Sequence, residues 1–410
     1  MNGTRRVVRT LLPEDRVATP YLSIPFEPGT SASSIEVILQ YDQSAGVIDL
    51  GCDGAAGWRG WSGGARTRFV ISETEATWGY LPGAIENGVW KVVLGLHKIP
   101  AEGVKVEVTI HSPARGRVEP DPPAPAPRPA EPARGLRRLA APGGLTWFAG
   151  DFHAHTLHSD GALSIRQLAA EASAGGLDFL AVTDHNTVSH HAHLPGVSVE
   201  YGVTLLPGQE VTTARGHANA FGPIPWVDFR NHPQTWVDAV RRDGGVLSLN
   251  HPVSGDCSWQ WHLDRKPSHA EIMHSSWRDD LADTGIWSWW NAWGTSCAAP
   301  LGGSDFHAPN QGIAVGTPTT WVAAEDCSPE GILNAVKAGR TSLSMGGARA
   351  GAVLLRMGDE LVAHDAEGAI FSDFAGRRSV IASQRETLPD TGSGPYRLES
   401  ADRQILAIMA

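Results

Sequence analysis

Nine side chains of metal-ligand type recur along this 410-residue chain in the order His-x-His, Asp, His, Glu, His, His, Asp-x-His, each where a strand-like run meets a loop. They are His153, His155 and Asp160 in DFHAHTLHSDG, His185 in AVTDHNT, Glu210 in LLPGQEVTT, His217 in ARGHANAFG, His251 in LSLNHP, and Asp305 with His307 in GGSDFH. Several strands delivering polar residues at their carboxyl ends is how parallel α/β barrels assemble a site. Imidazole nitrogens and carboxylate oxygens together suit Zn²⁺, Mn²⁺ or Fe, and nine donors exceed what one ion can use. Without ions, each of these ionisable groups would need another partner to offset its burial. The ordered set points to a multinuclear hydrolytic site.

The segments around these residues alternate strand, loop and helix. LSIRQLAAEASAGG predicts a helix with Ser164 as N-cap, Leu168 and Ala172 on one face, and Gly175-Gly176 as its stop; LDFLAVT then reads as a buried strand leading to His185. TWVDAVRRDGG reads as a helix followed by the strand GVLSLN, with His251 at its end. SPEGILNAVKAGR, opened by Ser328, Pro329 and Glu330 and ended by Gly339, reads as a later helix of the same unit.

Upstream, SIEVILQYD, VIDLGCD, TRFVIS, VWKVVLGLHKI and VKVEVTIH are short β-branched runs separated by Gly and Pro. Val104, Val106, Val108 and Ile110 share one face, opposite Lys105, Glu107 and Thr109, as a half-buried antiparallel strand requires. The expectation is a β-sandwich over residues 1–111. Trp58, Trp61, Trp78 and Trp90 within it read as core and rim packing, with a stacking platform for a ring-shaped ligand as the alternative. Residues 112–144 are dominated by Pro, Ala and Arg with no hydrophobic period, and read as an extended, solvated linker. The ligand-bearing α/β domain is expected over 145–345, and a glycine-punctuated, β-rich C-terminal extension over 346–410.

Composition narrows the function classes. An apolar content of 41% with 19% charged residues is that of an ordinary globular chain. Forty-four acidic residues against 33 basic give a net charge of −11, which disfavours a stable nucleic-acid partner bound by backbone neutralisation. Cys52, Cys257, Cys297 and Cys327 form no C-x-x-C pair and read as incidental thiols in a reducing compartment. MNGTRRVVRTLLPED lacks a signal-length apolar stretch and no run approaches the span of a bilayer, so a cytoplasmic chain with no membrane partner is expected.

DFHAHTLHSDG, FLAVTDHNT, PGQEVTT with RGHANAFG, NHP and GGSDFH together resemble the polymerase-and-histidinol-phosphatase (PHP) superfamily, and their loop wording resembles its CehA/McbA-type metallohydrolase branch. The resemblance covers roughly Trp147 to Met345, about half the chain. It implies a distorted (βα)₇ barrel carrying two or three divalent ions, Mn, Zn or Fe, at the carboxyl end of its strands. By this resemblance His153, His155, Glu210 and Asp305 surround one ion; Glu210, His217 and His251 hold a second; Asp160, His185 and His307 hold a third. Glu210 is then the bridging carboxylate. The downstream stretch HAEIMHSSW is poorer in acidic residues than this branch leads one to expect, and marks an altered pocket.

The implied chemistry is hydrolysis by a metal-bridging hydroxide, available because metal binding lowers the pKa of water from about 16 to roughly 7. Glu210, His217, His158 and Arg215 are the candidate catalytic residues. His158 is a candidate leaving-group acid or a solvent-facing residue. Arg215 offers a planar fork for a phosphate or carboxylate of the substrate, or a surface charge. Asp151 and Asp184 are candidates for orienting imidazoles or capping strand ends. His190, His191 and His193 read as loop. The tryptophan-dense region Trp259, Trp261, Trp277, Trp287, Trp289, Trp290 and Trp293 reads equally as an aromatic-accepting wall and as outer packing.

Three functions stay open on sequence. The first is a phosphoesterase acting on a small phosphorylated metabolite or an oligonucleotide end. The second is a carboxyl ester, amide or carbamate hydrolase of the carbaryl-hydrolase type, and the third a non-catalytic carbohydrate-binding or scaffold protein. Cationic residues beside the metals, Arg215 and Arg278, would favour phosphate.

Overall fold

A computed structural model describes residues 3–30, 32–127, 139–277, 282–293, 299–392 and 394–410, the side chains of 256, 277 and 282–285 excepted. Two compact units emerge, one of residues 1–123, 156–164 and 184–192, the other of 124–155, 165–183 and 193–410. The first thus takes in two short segments from the ligand-bearing half of the sequence.

In the first unit, one antiparallel sheet orders β1 (Gly3–Leu11), β8 (Val104–Ser112), β3 (Ser34–Gln40) and β6 (Arg68–Ser72). The other orders β2 (Tyr21–Phe26), β7 (Trp90–Lys98), β4 (Val47–Gly54) and β5 (Gly57–Gly63), and a short helix α1 (Pro13–Ala18) joins β1 to β2. Ile35, Val37, Phe69 and Ile71 of the first sheet share one core with Ile48, Leu50, Val92 and Leu94 of the second. This is the expected sandwich, and Val104, Val106, Val108 and Ile110 are its buried face. Trp61 and Trp90 are core residues, and Trp58 stacks on Trp61 at 6.1 Å.

The second unit is built on one large mixed sheet. A two-residue strand β9 (Leu139–Ala140) pairs with β10 (Thr146–Asp151). Next, β10 runs parallel to β11 (Phe179–Val182), and β11 parallel to β12 (Thr204–Thr213). After an antiparallel turn through β13 (Gly216–Phe221), β14 (Val246–Leu249), β15 (His269–His274) and β16 (Ala299–Gly303) form a second parallel triplet. On the other side of β10 lie antiparallel β17 (Thr319–Ala324) and β18 (Thr341–Ser344). Threonine hydroxyls bring β16 back to these strands: Thr320 Oγ1 bonds both N–H and C=O of Gly302 at 2.9 Å, and Thr341 Oγ1 bonds Pro300 O at 3.0 Å. The strand–helix alternation expected of a distorted (βα)₇ barrel is present in the triplets, while β13 and β17 run against it.

Helices α2 (Ile165–Gly175), α3 (Leu194–Tyr201), α4 (Pro233–Arg242), α5 (Ala282–Trp293) and α6 (Pro329–Lys337) accompany the strands. Leu168 and Ala172 of α2 are buried as their spacing predicts, and Gly176 ends that helix region at φ 84°. Ser328 caps α6 by accepting the Gly331 N–H at 3.0 Å. Beyond β18 the C-terminal residues join this second unit. A three-stranded sheet orders β19 (Val353–Met357), β20 (Glu360–His364) and β23 (Arg385–Pro389). The large sheet continues from β18 through β25 (Ile405–Met409), β24 (Tyr396–Glu399), β21 (Ile370–Ser372) and β22 (Arg378–Val380). Among the described residues, no helix is long and apolar enough to cross a membrane.

Candidate metal centre

His153 and His155 lie two residues apart just past β10, on an extended segment held by the His155 N–H to Phe306 O bond at 2.9 Å. Alternation along such a segment sends both imidazoles to one side. Glu210 sits within β12, and β13 pairs Asn219 with Glu210 and His217 with Thr212, so Glu210 and His217 are diagonal neighbours on one face. His251 and Asp305 follow β14 and β16 with left-handed backbone, at φ 28° and 52°. Such geometry is costly for residues with a Cβ and concentrates at functional positions.

These side chains converge on Glu210. Its Oε1 lies 3.4 Å from His153 Nε2, 3.4 Å from His251 Nε2 and 3.1 Å from His217 Nδ1, and its Oε2 lies 3.5 Å from His155 Nε2. Asp305 Oδ1 stands 3.2 Å from His153 Nε2 and 3.0 Å from His155 Nε2. Two donor sets result, His153/His155/Glu210/Asp305 and Glu210/His217/His251, each with its donor atoms within 4.8 Å of one another. His307 stacks its ring on His155 at 4.1 Å and approaches Asp305 O with Nδ1 at 2.8 Å. A carbonyl only accepts, so Nδ1 carries the proton.

The donor set fits divalent cations. His153 Nε2 is a buried nitrogen without a hydrogen-bond partner, facing two carboxylates. A cation at that point would satisfy the lone pair and both anions together.

Glu271 and His274, in the stretch HAEIMHSSW, also face the centre. Glu271 Oε1 accepts His153 Nδ1–H at 2.8 Å and its Oε2 accepts the His251 N–H at 2.7 Å. Residues three apart in a regular strand point to opposite faces. The register of β15 against β16 shifts between Glu271 and Met273, and this irregularity returns His274 to the Glu271 side. Gly303 leaves room for both chains, since a Cβ there would lie 2.3 Å from His153 Cβ and 2.7 Å from Glu271 Oε1. His274 Nδ1 lies 2.8 Å from Ser276 Oγ and 3.2 Å from Ser276 N, and its Nε2 stands 3.5 Å from Asp305 Oδ2. His274 thus faces Asp305, and with His251 and Asp305 it forms a further donor set. Asn250 donates Nδ2–H to Glu210 Oε1 at 2.7 Å. The sequence signal for these partners was only the E-x-x-H spacing and the Asn preceding His251.

The electrostatics follow from the crowding. Burial opposes a charge on His153, yet Asp305, Glu271 and Glu210 hold its pKa well above the ordinary imidazole value. His251 is raised as well, burial again opposed, with the Glu210 hydrogen bond leading the gain. Asp305 is held well below the carboxylate range, its burial outweighed by His153, His155 and His274, and Glu271 is lowered chiefly by His153. Protons and a divalent cation compete for these groups, so metal binding here would release protons.

Asp160, His185, His158 and Asp184 fall in the first unit. Asp160 Oδ1 and His185 Nε2 lie 3.5 Å apart. His158 is buried, with Nδ1 on Ser189 Oγ at 2.7 Å, which corrects its reading as a solvent-facing residue. Asp184 accepts Thr156 N–H, Thr156 Oγ1 and Ser159 Oγ at 2.7–2.8 Å and stands 3.3 Å from His190 Nδ1. It ties two loops together rather than orienting His185. In the second unit, Asp151 accepts the N–H groups of His153, Ser304 and Gly316 and is a strand-end cap.

Arg215 is exposed at the β12–β13 turn, its guanidinium 4.0 Å over Trp261 and bonded to Gln260 O at 2.9 Å. Arg278, like Cys297, lies outside the described residues. Of the tryptophans, Trp259 packs edge-on to Trp236 of α4, Trp289 stacks on Trp293, and Trp287 and Trp290 of α5 line a 450 Å³ cavity with Phe374 and Tyr396; the Trp277 side chain lies outside the described residues.

No protein-family model matches the chain. A stretch of 118 residues is 25% identical to an uncharacterized protein of Methanocaldococcus jannaschii, covering 26% of this chain and 69% of that one. A stretch of 63 residues is 36% identical to a 5'-3' exoribonuclease of Haemophilus influenzae, covering 15% of this chain and 23% of the exoribonuclease, less than a quarter of its length. Among solved structures, a two-domain protein containing a predicted PHP-like metal-dependent phosphoesterase from Bacteroides vulgatus matches with TM-score 0.41 and 18% identity, over 68% of this chain and 91% of that one. An amidohydrolase from Chromobacterium violaceum matches with TM-score 0.30 and 17% identity, over 40% of this chain and 89% of that one. Likeness this loose assigns neither family nor activity, and the functional reading rests on this chain's own side chains.

Proposed function

We propose that the second unit is a metal-dependent hydrolase of the PHP type, in which Glu210 is shared by two cation sites. The observation that carries this reading is the pair of donor sets meeting on that one buried carboxylate, His153/His155/Glu210/Asp305 and Glu210/His217/His251. When bound, divalent ions supply Lewis acidity and lower the pKa of water to roughly 7. The chain's part is positional. Glu271 fixes the His153 ring so that Nε2 faces inward, and Asn250 holds the Glu210 carboxylate in one rotamer. Asp160 and His185 are proposed to contribute to a further ion.

A phosphoester on a small metabolite or oligonucleotide end is the substrate class first favoured by the resemblance. A carbonyl substrate, an ester, amide or carbamate, gains support from Arg215, whose guanidinium is engaged by Trp261 and Gln260 O. The test is the initial rate of Mn²⁺- or Zn²⁺-loaded protein on an aryl phosphate and an aryl carbamate, with Glu210→Gln as the blank. Hydrolysis of the phosphate alone supports the phosphoesterase, hydrolysis of the carbamate alone the carbonyl hydrolase, and no metal-dependent turnover of either overturns the hydrolase reading for these two classes.

A further inference from the structure

The loops that carry Asp160 and His185 are held by the sandwich, and the contacts are specific. Arg66, just after β5, donates Nη2–H to Leu157 O at 2.6 Å and Nη1–H to Ser159 O at 2.7 Å, gripping the backbone immediately before Asp160. Its guanidinium lies 5.5 Å from the Trp78 ring centroid, and Trp78 is itself fixed by a bond from Nε1 to Asp121 Oδ1 at 2.8 Å. The second loop is held at Gly79, whose carbonyl accepts Thr187 Oγ1–H at 2.8 Å, two residues past His185. Gly79 has φ 93°, and a Cβ there would stand 2.8 Å from His158 O and 2.4 Å from Trp61 O. Only glycine lets the loop backbone pass so close.

The two loops are also joined to each other, by Asp184 with Thr156 and Ser159 and by His158 with Ser189. Asp160 itself is exposed and hangs from a turn in which the Ser159 and Gly161 N–H groups both bond Thr156 O at 3.0 Å. A turn of this kind fluctuates unless its backbone is tied elsewhere. Arg66 supplies the tie, with a rigid fork that spans two carbonyls two residues apart.

We infer that the β-sandwich is a built-in positioning element for the metal-ligand loops, and that Arg66 acts as a positioning residue that sets Asp160 against His185. This inference rests on the proposed metal-binding role of Asp160 and His185.

The test compares full-length wild type, Asp160→Ala, Arg66→Met and the double variant, each verified as folded by its melting curve. Bound Mn²⁺ and Co²⁺ are counted after equilibrium dialysis, and amide exchange of residues 157–163 is followed without metal. We expect Arg66→Met to reproduce the loss of metal seen in Asp160→Ala, with affinity for that ion falling 10- to 100-fold, the double variant to lose nothing more, and the 157–163 amides to exchange faster. A Thr187→Val variant should loosen the His185 loop in the same exchange measurement. If Asp160→Ala loses an ion while Arg66→Met keeps it at wild-type affinity with unchanged exchange, the positioning role is overturned. If wild type and Asp160→Ala bind equal metal, the metal-ligand reading of Asp160 fails instead, and the inference with it.

Discussion

Glu271 holds two ligand-bearing segments with one carboxylate, accepting His153 Nδ1–H at 2.8 Å through Oε1 and the His251 N–H at 2.7 Å through Oε2. The first bond fixes the tautomer of His153, and the second fixes the strained turn at which His251 sits at φ 28°. Glu271→Gln keeps the shape but removes the charge. We expect metal affinity to drop 10- to 100-fold by competition with a chromophoric chelator, with the fold retained. An affinity within twofold of wild type would reduce Glu271 to a packing residue.

His274 separates a donor from a ligand. With Nε2 at 3.5 Å from Asp305 Oδ2, His274 is expected to support that carboxylate, so His274→Ala should keep the wild-type number of bound ions while weakening the Asp305-bound one by about tenfold. Loss of a whole equivalent on dialysis would make His274 a ligand after all.

Acid sensitivity should have an identifiable contributor away from the donor atoms. Burial pushes His269 down to about 4 from 6.5, with Lys337 adding to it against the bond to Val336 O. Between those values the unfolded chain binds the proton and the folded chain refuses it, so stability is full above pH 6.5 and falls as pH drops toward 4. From pH 7 to pH 5 this group alone removes roughly 2 kcal/mol. Urea unfolding of His269→Gln should show a correspondingly flatter acid limb; an unchanged limb would mean that His269 is protonated in the fold.

Ser328 offers a control on stability without chemistry. Its hydroxyl caps α6 through the Gly331 N–H, and Ser328→Ala should cost about 1 kcal/mol in urea with no change in metal content. A change in metal content would mean that α6 is coupled to the donor sets.

How far the sequence reaches can be traced residue by residue. Val104 to Ile110 announced a sandwich strand because a period of two has only one structural meaning at that length. His153, His155, Glu210 and Asp305 could be grouped only through the ordered motifs that resemble a known superfamily, since Glu210 lies inside β12 while the other three follow strands. Glu271 and His274 could not, since three-residue spacing in a strand puts them on opposite faces until an irregular register brings them together. Nor could the tie between Arg66 and the carbonyls of Leu157 and Ser159, which joins residues more than 90 positions apart through backbone atoms that leave no mark on residue type. The C-terminal strands read as β-rich but carried no sign of which sheet they would enter, because that choice is made by the pairing of β25 with β18.

Glu210 as the carboxylate common to two ions is most directly examined by counting metal. Purified full-length wild type, His217→Ala and Glu210→Gln are dialysed against Mn²⁺, their bound metal is measured, and hydrolysis is followed on the better of the two aryl substrates. Relative to wild type, His217→Ala should lose one equivalent and Glu210→Gln should weaken two, with turnover in the latter down at least a thousandfold, of the order expected when a metal-held nucleophile is lost. A folded Glu210→Gln protein with the full wild-type metal content and rate would mean that Glu210 bridges nothing and that the two donor sets are not one centre.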